Sequence, residues 1–133
     1  MKPPLARILR PAAWEDFVGQ KHLTHDRSPL ILALNRGKIP PLILHGPPGC
    51  GKTAMAYLLA QKLDADIHVL SGTSATVSDL RGLMQSVSSK RNSAASSSLF
   101  ESSRPGFVFL DEIHRLAKNQ QEVLLPFVEE GGF

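Results

Sequence analysis

The sequence predicts an α/β fold with a mainly parallel sheet flanked by helices. Three observations carry that prediction. A glycine-rich octapeptide, Gly46 to Thr53, stands between a short apolar run and a stretch of helical spacing. A second apolar run, Phe107 to Leu110, ends in the acid pair Asp111-Glu112. Between and around them apolar runs alternate with helical patterns, as they do where parallel strands are joined by crossover helices.

The elements follow in chain order. Residues 1–20 carry prolines at positions 3, 4 and 11 and read as irregular, with Trp14 and Phe17 as anchors that dock this arm onto the body. A helix is expected from Pro29 to Arg36. Ser28 suits its N-cap, Pro29 its first position and Gly37 its stop. Leu42-Ile43-Leu44, just after Pro40-Pro41, reads as a short buried strand. The helix expected from Lys52 to Leu63 is apolar on nearly every face, which implies burial between layers. Ile67 to Leu70 reads as a second strand. Val77, Leu80, Leu83, Met84 and Val87 then recur at helical spacing, behind a capping box of Thr76 and Asp79. Half of the residues between Ser86 and Ser103 are serine, which reads as a solvated loop. Phe107 to Leu110 is the third strand. A last helix is expected near Asn119, with Asn119 and Glu122 at capping-box spacing and with Pro126 kinking it or ending its regular part. Residues 1–27 thus form an arm and 28–133 a partial core, with the serine-rich loop at 86–105.

Composition bounds the rest. A chain of 133 residues is one domain at most. Hydrophobic content of 42% and charged content of 20% are those of a soluble globular protein. No apolar run approaches the roughly 18 residues of a membrane span, and no secretory signal follows Met1. One cysteine, Cys50, excludes an internal disulfide framework and suits a reducing compartment. A net charge of +3 permits contact with nucleic acid without arguing for it.

Two motifs carry chemistry. Gly46-Pro47-Pro48-Gly49-Cys50-Gly51-Lys52-Thr53 fits the phosphate-loop pattern G-x-x-x-x-G-K-[ST]. Glycines let consecutive backbone N–H groups turn inward around an anionic polyphosphate, and the following helix aims its positive end at the same place. Lys52 would reach the β- and γ-phosphates, and Thr53 would ligate magnesium through its hydroxyl. At ordinary residue frequencies a chance match in this chain is roughly half a percent. The second motif delivers Asp111 at the C-terminal end of a buried strand, where open parallel sheets bind ligands. Asp111 would hold magnesium. Glu112 would orient or deprotonate the attacking water. The five histidines show no metal-ligand spacing, and Cys50 reads as a small residue in a tolerant loop position. Lys90-Arg91 reads as solvated loop charge.

Further short motifs carry a resemblance. Leu5-Ala6-Arg7, Arg10-Pro11, Asp16-Phe17-Val18-Gly19-Gln20 and His22-Leu23 precede the phosphate loop, while Leu70-Ser71 and Asp79-Leu80-Arg81 follow it. Then come Asp111-Glu112-Ile113-His114-Arg115, Gln120-Gln121, Leu124-Leu125-Pro126 and Val128-Glu129. Together they resemble the N-terminal part of the RarA/MgsA family, which includes the Werner-helicase-interacting ATPases. These are AAA+ proteins related to clamp loaders and to the Holliday-junction motor RuvB. The resemblance implies an ATPase that works with magnesium and responds to DNA at stalled replication forks. It implies a homo-oligomer, associated with single-strand-binding protein and the replication machinery and placed in the cytoplasm, or in the nucleus if the source is eukaryotic. It also implies that Val18-Gly19 helps form the adenine pocket, that the Arg7 to Pro11 arm, with Arg10 and Pro11, lies close by, and that Ala54 counts with Gly46 to Thr53 among the nucleotide-binding residues.

The sequence departs from the family pattern at a few positions. His45 replaces a larger aromatic, Ala54 a second threonine, and Leu116-Ala117 a phenylalanine–asparagine pair. By resemblance, residue 133 falls before the sensor strand, the arginine finger and the helical lid, so the chain alone is expected to be an incomplete fold and a poor ATPase. In the AAA+ strand order Phe107–Leu110 pairs with Ile67–Leu70, while Leu42–Leu44 lacks its neighbour. Two alternatives stand beside the ATPase reading: a nucleotide-binding interaction module without turnover, and a clamp-loader subunit or branch-migration motor.

Overall fold

The computed structural model describes residues 3–37, 39–93 and 104–129. The arm consists of single turns: α1 (Leu5–Ile8), a 3₁₀ turn at Trp14–Asp16 and α2 (Lys21–Thr24). After it come α3 (Pro29–Asn35), α4 (Lys52–Lys62), β1 (Asp66–Ser71), α5 (Val77–Ser93), β2 (Gly106–Asp111) and α6 (Lys118–Glu129). β1 and β2 pair in parallel, with Asp66 opposite Gly106 and Ser71 opposite Asp111.

The alternation of side chains along β2 builds a layer on each face of this sheet. Phe107 packs against a cluster of Ile31, Leu34, Met55 and Leu59 from α3 and α4. Val108 and Leu110, on the other face, pack with Leu80, Met84, Leu116 and Leu124. Trp14 and Phe17 join the first cluster, so the arm is anchored as its aromatic residues suggest. The α4 helix is buried on several sides, at Ala54, Met55, Ala56, Leu58, Leu59 and Ala60, because it lies between the sheet and the arm.

The caps explain where two helices begin. Ser28 Oγ accepts from the Ile31 N–H at 3.1 Å and donates to the Leu23 carbonyl at 2.6 Å. Pro29 opens α3, and Gly37 leaves it at φ 70°. The Thr76–Asp79 box is reciprocal: the Thr76 N–H donates to Asp79 Oδ2 at 2.8 Å and the Asp79 N–H to Thr76 Oγ1 at 3.1 Å. The Thr76 hydroxyl, then its backbone N–H, holds the Asp79 carboxyl below its ordinary value of 3.8. A carboxylate lowered by folding stabilises fully above its unfolded value and ceases to as pH falls through the folded one. Asp79→Ala is therefore expected to lower the melting temperature at pH 7, with the gap to wild type closing below about pH 4. Thermal melts across that range check it, and a gap of constant size would show that the box contributes no pH-linked stability.

Four sequence expectations are corrected. Leu42–Leu44 is not a buried strand: Leu42 and Ile43 are 45% and 79% exposed, and only Leu44 packs on the core, while the segment's lack of a sheet partner among the described residues is as the AAA+ strand order implies. The ladder of β2 is made with β1, and among the described residues no strand lies between β2 and Leu42–Leu44. The serine-rich loop begins later than expected, because α5 continues to Ser93. Ser86 tolerates the helix by donating back to the Leu83 carbonyl at 2.7 Å. The rest of that loop, 94–103, lies outside the described residues. The α6 helix starts one residue before Asn119, and Gln120 rather than Glu122 reaches back to its first turn, to the Ala117 N–H at 2.6 Å. Pro126 does not end α6, which runs on to Glu129. Proline removes one N–H from the helix ladder, while Leu124, Val123 and Phe127 hold the surrounding turns on the core.

Candidate functional site

The phosphate loop starts where Leu44 leaves the core and ends in the first turn of α4. Gly49 and Gly51 take φ of 78° and 91°, which residues with a Cβ rarely adopt. Gly51 is the N-cap of α4, and its carbonyl accepts the Met55 N–H at 2.8 Å. A Cβ at Gly51 would press on the Phe17 ring at 3.1 Å, so the arm abuts the loop there. Lys52 folds over the loop: its Nζ donates to the carbonyls of Gly46 and Pro47, both at 2.8 Å. It also lies 3.7 Å from Cys50 Sγ. The ammonium is thus held against the loop, bonded to carbonyls that are weaker acceptors than a phosphate oxygen. Thr53 is half-buried and Ala54 buried at the start of the helix.

The acid pair stands at the C-terminal end of β2. Asp111 is the last strand residue, and its Oδ1 accepts the Glu112 N–H at 2.9 Å. Glu112 follows with φ 53° and ψ 45°, a left-handed conformation uncommon away from glycine. That reversal turns the chain off the sheet and into a 3₁₀ turn, Ile113–Arg115. Both carboxylates are exposed.

Gly72 and Thr73 at this site escape the sequence reading, and Ser71 enters it only as part of the Leu70-Ser71 motif, without a role. Ser71 Oγ and Thr73 Oγ1 lie 3.3 and 3.2 Å from Glu112 Oε2 and share a 2.6 Å hydrogen bond with each other, so that one hydroxyl proton is left for the carboxylate. Between them Gly72 brings the main chains together: its N–H donates to the Asp111 carbonyl at 2.8 Å, and a Cβ there would overlap the Glu112 carbonyl. The available signal was the register. Strands ending together in parallel set the polar residues after Leu70 beside Asp111.

The residues of the arm separate. Phe17 touches the phosphate loop, Val18 is 93% exposed and Gly19 takes φ 90°. Arg10 and Pro11 instead lie along α4. The Arg10 guanidinium is 6.0 Å over the Tyr57 ring, and Pro11 lines a depression with Tyr57, Gln61 and Ala65, towards the C-terminal end of the helix. Leu116, a departure from the family pattern, is 5% exposed and fills the core beside Leu124.

A phosphate loop entering a helix, with an aspartate–glutamate pair ending a parallel strand, is the geometry of P-loop NTPases. Residues 9–132 match the family described as the Holliday junction DNA helicase RuvB P-loop domain. The chain belongs to this family. Within the RuvB-type P-loop domain the likeness extends to recombination proteins. Replication-associated recombination protein A of Coxiella burnetii is 38% identical over 128 residues, 96% of this chain and 27% of its own length. ATPase WRNIP1 of Dictyostelium discoideum is 36% identical over 129 residues, 96% of this chain and 14% of its own. Holliday junction branch migration complex subunit RuvB of an Anaeromyxobacter species is 35% identical over 132 residues, 97% of this chain and 34% of its own. The chain therefore spans about a quarter of the length of the recombination proteins it matches. The RuvB-type P-loop domain is of AAA+ type, as the adjacent acid pair and the pairing of β1 with β2 lead one to expect. No helix among its described residues is long and apolar enough to cross a membrane.

Proposed function

We propose that this chain is the nucleotide-binding part of a magnesium-dependent AAA+ ATPase that acts on DNA in replication-associated recombination. The observation that carries the reading is the Gly46–Thr53 loop, which opens α4 with the Lys52 ammonium bonded to the carbonyls of Gly46 and Pro47. In the complete protein Lys52 exchanges its two carbonyl partners for phosphate oxygens. Backbone N–H groups of Gly49, Cys50, Gly51 and Lys52 supply the neutral donors, while Pro47 and Pro48, which have none, shape the turn. Gly46 leaves room for Cys50, whose Sγ a Cβ at residue 46 would meet at 2.8 Å.

Thr53 and Asp111 offer a hydroxyl and a carboxylate, the hard oxygen donors that magnesium takes. Bound there, the metal would neutralise charge on the transferred phosphoryl group. Glu112, one residue beyond Asp111, accepts the proton of the attacking water, and the bond to the departing ADP oxygen breaks. The exposed Val18 side chain, beside a phenylalanine that touches the loop, supports an adenine pocket at Val18-Gly19. Arg10 and Pro11 support the arm from α4 instead. DNA, single-strand-binding protein and further copies of the protein are the proposed partners. The names of the recombination relatives support DNA, and the sequence resemblance alone supports the other two.

Calorimetric titration of ATP with and without magnesium tests the site. Wild-type protein is expected to bind more tightly with magnesium. Asp111→Asn is expected to lose about tenfold of that gain, roughly 1.4 kcal/mol, while leaving metal-free binding unchanged. Equal magnesium dependence in both proteins would remove Asp111 from the metal site.

A further inference from the structure

We propose that Gln120 is a positioning residue for hydrolysis, acting on Glu112 through the turn that follows β1. The inference rests on the reading of Glu112 as the base.

The Gln120 amide joins two segments that are distant in sequence. Its Oε1 accepts the Ala117 N–H at 2.6 Å, closing the first turn of α6. Its Nε2 donates to the Ala75 carbonyl, 45 residues away along the chain. Ala75 is 8% exposed and packs in the same cluster as Leu116. The Ala75 N–H donates to the Ser71 carbonyl at 2.8 Å, and the Ser74 N–H donates to that oxygen at 3.1 Å. The amide therefore pins a tight turn at its far end. The near end of that turn carries Ser71 and Thr73, whose hydroxyls meet Glu112 Oε2. The other side of the site is tied to the same amide. The Arg115 N–H donates to the Glu112 carbonyl at 2.8 Å, and the chain then reaches Ala117 within two residues.

Glu112 is an exposed carboxylate on a flexible stem, and solvent alone would let it wander. Two hydroxyls on one oxygen limit that motion only if their turn is itself held. Gln120 supplies a hold by closing a ring from Ala117 through Ala75 and Ser71 to Glu112. The neighbouring Gln121 makes a contrasting bond. Its Nε2 donates to the Leu116 carbonyl at 2.9 Å, within the same local segment. It touches no part of the turn after β1 in the bonds recorded for it, so it serves as a control for helix capping alone.

The test uses the full-length protein. Gln120→Glu keeps the acceptor for Ala117 and the side-chain length, but its carboxylate has no proton to give the Ala75 carbonyl. Misplacing a reacting group by about 1 Å costs on the order of a hundredfold, so Gln120→Glu is expected to lower kcat about ten- to a hundredfold. KM and the affinity for a fluorescent ATP analogue are expected to stay within about twofold, the split that marks a loss felt only during reaction. Gln121→Ala is expected to change kcat less than about twofold. In a protein already carrying Ser71→Ala and Thr73→Val, adding Gln120→Glu is expected to cost nothing further, because one path is being cut twice. Wild-type or faster turnover by Gln120→Glu would overturn the proposal. So would a loss that multiplies with that of the hydroxyl variants, or one matched by weakened nucleotide binding or a lowered melting temperature. Glu112→Gln, run alongside, separates the levels. If it hydrolyses ATP at the wild-type rate, the reading of Glu112 itself fails. If it is inactive while Gln120→Glu is normal, only the role of Gln120 fails.

Discussion

Glu112→Gln in the full-length protein is expected to keep ATP bound while losing ~10²–10⁴-fold in turnover, the usual contribution of a positioned general base. The argument is geometric. Glu112 follows directly on Asp111 at the end of β2, and its left-handed backbone directs the chain away from the sheet there. Glutamine has the same length and can still accept from the Ser71 and Thr73 hydroxyls that now meet Oε2. What it lacks is the ability to take a proton from water. A substitution that preserves shape and removes only basicity should lower kcat with little change in affinity. Phosphate release under saturating ATP, beside a binding titration, checks it. Turnover within a few-fold of wild type would assign the base elsewhere. A parallel loss of binding would mean that Glu112 holds the nucleotide rather than the water.

The parts of this site that were legible in the sequence are those set by local chemistry. Gly46–Thr53 needs its glycines wherever the chain goes afterwards, and Gly49 and Gly51 do take positive φ. Ser28 and the Thr76–Asp79 box satisfy helix ends within three residues of themselves, so a short window reveals them. The apolar run before Asp111 is a strand because both of its faces are covered. What failed depended on distant partners. Leu42–Leu44 has the composition of a buried strand, but without the neighbour that the AAA+ strand order already denies it, Leu42 and Ile43 stay exposed. Serines at 86, 88 and 89 suggest solvent, yet α5 absorbs them, since Ser86 bonds back within its own turn. The hydroxyl pair on Glu112 comes from a residue 41 positions away and one 39 positions away. Gln120 stands out only as part of the Gln120-Gln121 motif, and the fold alone brings Ala75 to it. Resemblance alone places Arg10 and Pro11 near the adenine pocket; the fold sets them beside Tyr57 and Gln61 of α4.

Lys52→Ala is expected to abolish most nucleotide affinity, and it bears most directly on the claim that Gly46–Thr53 is a phosphate site. Lys52 brings its ammonium onto the loop, with Nζ 2.8 Å from the carbonyls of Gly46 and Pro47. A hydrogen bond to a charged group contributes ~1.5–3 kcal/mol, which corresponds to roughly ten- to a hundredfold in Kd. The loop should survive the change, since Gly49 and Gly51 set its turns and the buried face of α4 holds its end. A melting temperature close to wild type would establish that. The measurement is a titration of a fluorescent ATP analogue, with magnesium, against wild type and Lys52→Ala. Saturable binding by wild type, weakened at least about tenfold in the variant, is the predicted result. Equal affinity in the two proteins, or no binding by wild type, would contradict the assignment of this loop.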